Sequence, residues 1–127
     1  MRHHRVASRS VRLALIAVKT AHTAVFAVVA ASVAAVVWDG LRQRPRRRTA
    51  AAAAIAMGET AVFVGNGCTC PLTPIAERLG AERGSVADIY LPGWFARRLP
   101  LIAGAALVGG LTLNALALAR SSMEVAP

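Results

Sequence analysis

The chain is short of most of what a soluble domain uses to specify a fold or a reaction. Aromatic residues are 5% of its 127 positions, acids number six, and a lone lysine, Lys19, accompanies fourteen arginines. Two cysteines are too few for a disulfide-stapled secreted mini-domain. There is no glycine-rich phosphate loop, no Gly-x-Ser-x-Gly, and no pair of carboxylates at acid–base spacing. What is abundant is apolar. Hydrophobic residues make up 56%, with alanine at 28 positions, which excludes a disordered tail. The apolar residues fall in long blocks rather than at amphipathic spacing, and the length allows one domain. A small integral membrane protein is the class this implies, and the arginine-over-lysine, alanine-rich balance fits a GC-rich bacterial genome.

The formal charge of +9 raises the question of nucleic acid. A DNA-binding module gathers its cations on one face of a folded unit. Here they flank apolar blocks: Arg2, Arg5, Arg9 and Arg12 before the first, Arg42, Arg44, Arg46, Arg47 and Arg48 after it. Those are headgroup positions, so the lipid bilayer is the expected partner and nucleic acid is not.

The first block covers 13–38, with 21–37 its cleanest stretch. Seventeen residues at 1.5 Å each reach about 25 Å, and the longer range crosses a core of about 30 Å comfortably. Trp38 closes it and Asp39-Gly40 is expected to end the helix. A cleaved signal peptide would have a shorter apolar region, and the acid-free start also has the look of a transit peptide. The second block, 49–64, contains Glu59 and stops at Gly65-Asn66-Gly67. The third, 101–119, is uncharged and ends at Arg120. Between them, 66–99 reads as an interfacial helical hairpin. Its first helix is capped by Thr73-Pro74 and runs to about Leu79, the second is opened by Ser85-Val86-Ala87-Asp88 and ended by Pro92-Gly93, and Tyr90, Trp94 and Phe95 form an aromatic belt. The fold class is therefore all-α, with three transmembrane helices in one domain over 1–127. Small-residue spacings at Ala105/Gly109, Ala106/Gly110 and Ala27/Ala31 permit close helix approach. Orientation is undecided: eight arginines against six is no clear positive-inside bias.

Few residues could bear chemistry. A carboxylate in a span costs about 2.5–3.5 kcal/mol on insertion scales, so Glu59 needs a partner, a proton or water. In a hairpin turning near Gln43-Arg44 it lies level with about residue 28. His22 and Lys19 stand roughly 9–14 Å further toward the same face. Glu59 with His22 is either a proton site or a neutral acid pinning helix contacts to Thr60, Thr23 or a carbonyl. Cys68-Thr69-Cys70, level with Lys19, is a soft-metal or redox pair, or two plain thiols. Zinc would need two further ligands, and none is suitably spaced. No cofactor is expected.

The run Gly58-Glu59-Thr60, Gly65-Asn66-Gly67, Cys70-Pro71-Leu72-Thr73-Pro74, Glu77-Arg78-Leu79-Gly80 and Asp88-Ile89-Tyr90-Leu91-Pro92 carries a resemblance. It resembles small bacterial membrane proteins of unknown function with a Cys-Pro-Leu-Thr-Pro motif at the end of a transmembrane helix. That resemblance covers about residues 20 to 100 and implies a His in the first span and a Glu in the second, as at His22 and Glu59. The chain departs from the pattern in a longer Glu59–Cys70 stretch and in the extra Cys68. The resemblance singles out His22, Glu59 and Cys70 and implies no reaction. Two expectations follow. The first is a non-enzymatic, multi-pass inner-membrane protein that packs against itself or a larger membrane protein. The alternative is a proton- or thiol-redox-handling enzyme subunit using Glu59, His22 and Cys68/Cys70.

Overall fold

A computed structural model describes residues 8–80 and 92–126. All the regular structure in these residues is helical: α1 (Arg9–Leu41), α2 (Arg47–Gly65), α3 (Leu72–Arg78), α4 (Gly93–Ala96) and α5 (Leu99–Val125). Two of them, α1 and α5, are long and apolar enough to cross a membrane. The third apolar rod, α2, is 19 residues and alanine-rich, and does not reach that standard.

α1 is the central element and packs against both α5 and α2, which touch each other only slightly. It starts a turn before the apolar block because the Ser8 hydroxyl accepts a hydrogen bond from the Val11 N–H, at 3.3 Å. It also runs past Asp39-Gly40, which the sequence alone suggests as its end. The reason is that neither residue faces water: Asp39 is 2% exposed and Gly40 is buried. The stop comes at Gln43, which takes a left-handed φ of 51°, with Pro45 beyond it. The expected turn near Gln43-Arg44 is therefore where the chain reverses. α2 ends as expected, with Asn66 at its C-cap and Gly67 at a φ of 69°.

α3 differs from the expected capping. Pro71 rather than Thr73 precedes it, and the Thr73 N–H is already donating to the Cys70 carbonyl at 3.0 Å. The residues proposed to open a second short helix, Ser85 to Asp88, lie outside the described residues, as does Tyr90. Pro92 precedes the single turn of α4, where Trp94 and Phe95 meet edge-to-face at 5.7 Å.

The packed core is small and made of small residues. Val33, Val36, Ala52, Ala56 and Leu107 form it, with Ala106 and Leu111 against them. α1 and α5 run parallel, since Val36 meets Gly110, Gly40 meets Leu113 and Asn114, and Gln43 meets Arg120. Their approach is closest at two glycines. A Cβ on Gly110 would lie 3.0 Å from Val36 and 3.1 Å from the Val37 backbone, and one on Gly40 would lie 2.9 Å from the Leu113 Cβ. Asn114 fastens this contact: its Nδ2 donates to the Val36 and Gly110 carbonyls at 2.8 Å each. Of the small-residue spacings in the sequence, Ala106/Gly110 is the one used between helices, whereas Gly109 faces open space. Gly110→Ala should therefore destabilise the chain by about 1–3 kcal/mol through overpacking. The adjacent Gly109→Ala should be neutral or stabilising by up to about 1 kcal/mol through helix propensity. Thermal unfolding in detergent reads both, and equal effects at the two positions would remove the close-approach account.

Candidate functional site

The best-built polar constellation lies at the α1–α2 turn. Arg48 grips Asp39 with two prongs, Nη2 donating to Oδ1 at 2.7 Å and Nε to Oδ2 at 3.2 Å. The Thr49 hydroxyl donates to Oδ2 at 2.7 Å and accepts from the Arg46 N–H at 2.9 Å. Thr49 thus ties the first turn of α2 to the last turn of α1, and Arg48 supplies charge compensation. The Arg48 and Thr49 hydrogen bonds hold the Asp39 carboxyl down at about 2, against an ordinary value of 3.8. Next to it, the Arg42 guanidinium lies over the Trp38 ring, 4.5 Å from its centroid. Arg120 of α5 donates to the Gln43 side chain at 3.2 Å.

Asp39 is a structural residue that fastens α1 to α2, and reading it as a helix terminator misses that. One signal was available: it is the only acid in the first 58 residues, and five arginines follow it within nine positions. A lone buried acid in such company has a guanidinium partner to find.

The residues singled out for chemistry lie away from this turn, toward the opposite end of α1. Glu59 is half-buried and lines an open groove of about 320 Å³ with Ala24, Val25, Val28, Val29 and Ile55. Its placement opposite residue 28 is therefore as the hairpin geometry predicts. His22 lies outside that lining set, so the groove presents Glu59 against aliphatic side chains. His22, Thr23 and Cys70 are each engaged by other groups of the chain. Thr60 donates to the Ala56 carbonyl at 2.7 Å, an ordinary intrahelical bond rather than a tether for Glu59. Counted from Trp38 at 1.5 Å per residue, Lys19 stands about 28 Å along α1.

Cys68 is exposed, Cys70 is half-buried, and the two are not joined in a disulfide. Cys68 adopts a left-handed φ of 58° directly after Gly67, while the Asn66 side chain bridges the turn to the Thr69 carbonyl at 2.8 Å. Among the described residues no three His, Cys, Asp or Glu side chains gather where a metal ion could be held. The arrangement thus offers one charge-compensated clasp and one carboxylate beside an apolar groove.

Comparison with known protein families, curated proteins and solved structures returns no match.

A pH dependence follows from the clasp. Asp39 titrates lower in the folded chain than in the unfolded one, so its stabilising contribution is complete above the ordinary carboxylate range and is lost as pH falls through about 2. Unfolding in detergent should show this loss between roughly pH 4 and pH 2. In Asp39→Asn the chain should be less stable at neutral pH and this acid-dependent loss should shrink. An undiminished acid limb in the variant would assign it to other carboxylates.

Proposed function

We propose that the chain is a three-span protein of the bacterial inner membrane that acts as a non-enzymatic packing or accessory component of a membrane assembly, with the bilayer and a second copy or a larger membrane protein as its partners. The observation that carries this reading is where the large apolar side chains point. Leu101 is 78% exposed, Val108 66%, Leu13 58% and Val28 55%, while the buried set consists mainly of alanine and valine. In water that distribution would forfeit most of the burial that stabilises a fold, whereas lipid solvates it. The apolar stretches of α1 and α5 are only about a quarter buried, unlike core helices of a soluble domain.

α2 joins them as the third span through its pairing with α1. It lies antiparallel along α1 from the Asp39–Thr49 contact to Glu59, and its 19 residues amount to about 28 Å. Its weakly hydrophobic alanines suit a rod that inserts against a neighbour. On Cys70 to Pro74, together with His22 and Glu59, the chain resembles small bacterial membrane proteins with a Cys-Pro-Leu-Thr-Pro motif. A proton- or thiol-handling subunit is the second reading, favoured by Glu59 lining a groove of otherwise aliphatic residues.

The test is extraction. The full-length chain should stay with the membrane pellet through alkaline carbonate and need detergent for release. Recovery as a monodisperse species in the aqueous fraction would end the reading. For the second reading, Glu59→Gln, His22→Ala and Cys70→Ser are compared for accumulation and for redox or transport phenotype. Reduced accumulation marks a packing role, and normal accumulation with a lost phenotype marks the enzyme subunit.

A further inference from the structure

The hairpin leaves one long surface feature that neither the clasp nor the α1–α5 contact uses. On the face where α1 meets α2, a groove of about 780 Å³ runs inward from Trp38 and Arg48, along Ala31, Ala34 and Ala51, to Val28 and Ile55. The Glu59 groove continues it and shares Val28 and Ile55. From Trp38 to Val28 is ten residues, about 15 Å, the depth of one leaflet's hydrocarbon. It is a shallow groove open along its length, and alanine, valine and isoleucine make up most of its lining.

Its mouth is the most cationic part of the described chain. The turn beyond Trp38 carries Arg42, Arg44, Arg46, Arg47 and Arg48 against one acid, Asp39, and Arg120 of α5 reaches the same turn at Gln43. Asp39 is consumed by Arg48, and Arg44, Arg46 and Arg47 are exposed. Two helix stripes bring cations directly above the groove. Arg47 is four residues before Ala51 on α2, and Arg42 lies over Trp38, which lines the groove.

An apolar slot one leaflet deep under a cluster of guanidiniums matches one class of molecule. We propose that this groove is a binding site for an anionic phospholipid, its acyl chain lying along Ala31, Ala34 and Ala51 and its phosphate held by Arg42 and Arg47. A second copy of the chain is the poorer occupant. Paired about a two-fold axis along the membrane normal, it would bring its own six arginines to the same level, and like charges in apposition oppose that contact. An anionic headgroup instead relieves the excess charge. The inference rests on the membrane reading above, and its test is arranged to separate the two.

Full-length chain extracted from membranes in detergent is offered dioleoyl phosphatidylglycerol or dioleoyl phosphatidylcholine, and retained lipid is counted by native mass spectrometry. Phosphatidylglycerol should be retained with a preference of roughly tenfold or more, as two cations near an anionic headgroup imply. The double variant R42Q/R47Q, at two exposed positions, should bring the two lipids level. A51F, which fills the groove from an exposed position, should lose retained lipid of both kinds. Equal retention by the unaltered chain, a preference surviving in R42Q/R47Q, or a lipid-independent dimer abolished by A51F would each overturn the site. The need for detergent at the extraction step reads the membrane assignment separately, so either idea can fail alone.

Discussion

The register of the whole hairpin depends on one carboxylate. Asp39 sits at the last turn of α1 with almost no exposed surface, and it is tolerable there only because Arg48 and Thr49 satisfy both of its oxygens. Both partners come from the opening turn of α2, so the clasp fixes where α2 begins relative to where α1 ends. Ten residues back from Asp39 and ten on from Thr49 stand Val29 and Glu59, which line the same groove. A slip of one residue would strand a buried charge, which costs far more than a misplaced alanine contact. On a helix face composed of near-identical alanines, hydrophobic packing alone could not choose between registers. The polar turn makes the choice.

The α1–α5 contact is specified differently. No ion pair is among its described contacts; shape and one amide do the work. Gly40 and Gly110 remove the side chains that would hold the backbones apart, and Asn114 then reaches the Val36 carbonyl, which is already part of the α1 ladder. In lipid, contacts of this sort are what remains to hold helices together, because apolar burial gives no advantage there. The division of labour explains the composition. Small residues and a few polar groups lie inside, and leucine, isoleucine and valine are largely left for the outside. That is the reverse of a soluble core, and it explains why aromatics and paired acids, the usual anchors of water-soluble packing, are so scarce.

Much of this was legible in the sequence because it depends on local chemistry. The rods follow from unbroken apolar runs, the turn at Gln43 from an arginine-rich, proline-bearing connector, and the end of α2 from Gly65-Asn66-Gly67. The level of Glu59 follows from counting back from that turn. What could not be read locally is where a polar residue points. Asp39-Gly40 reads as a stop when taken alone, yet both residues belong inside α1, one because of a guanidinium nine residues on, the other because of a helix seventy residues on. Asn114 likewise looks like an incidental polar residue in an apolar run until Val36 is placed beside it. Thr73 does not open α3 for a smaller reason: Pro71 sets the helical dihedral two residues earlier.

The polar groups fall into those bonded within the fold and those that face outward. Asp39 and Thr49 are buried and bonded to each other and to Arg48 and Arg46, so their bonds serve the α1–α2 join. Asn114 uses its Nδ2 on two carbonyls, and its Oδ1 is buried between packed helices where nothing external can reach it. The groups that face outward are different in kind. They are the guanidiniums that surround the turn, a carboxyl beside an apolar groove, and an exposed thiol after α2. These sit at different depths along the hairpin, and the clasp holds them apart by fixing the register. A catalytic constellation needs its groups within hydrogen-bonding reach of one another and of a common reactant. Groups strung along a rod at separate levels instead meet separate neighbours, headgroups at one end and helices or lipid chains further in. Among the described residues the clasp therefore sets the level at which each outward-facing group meets its surroundings, and that spacing is what the proposed membrane reading uses.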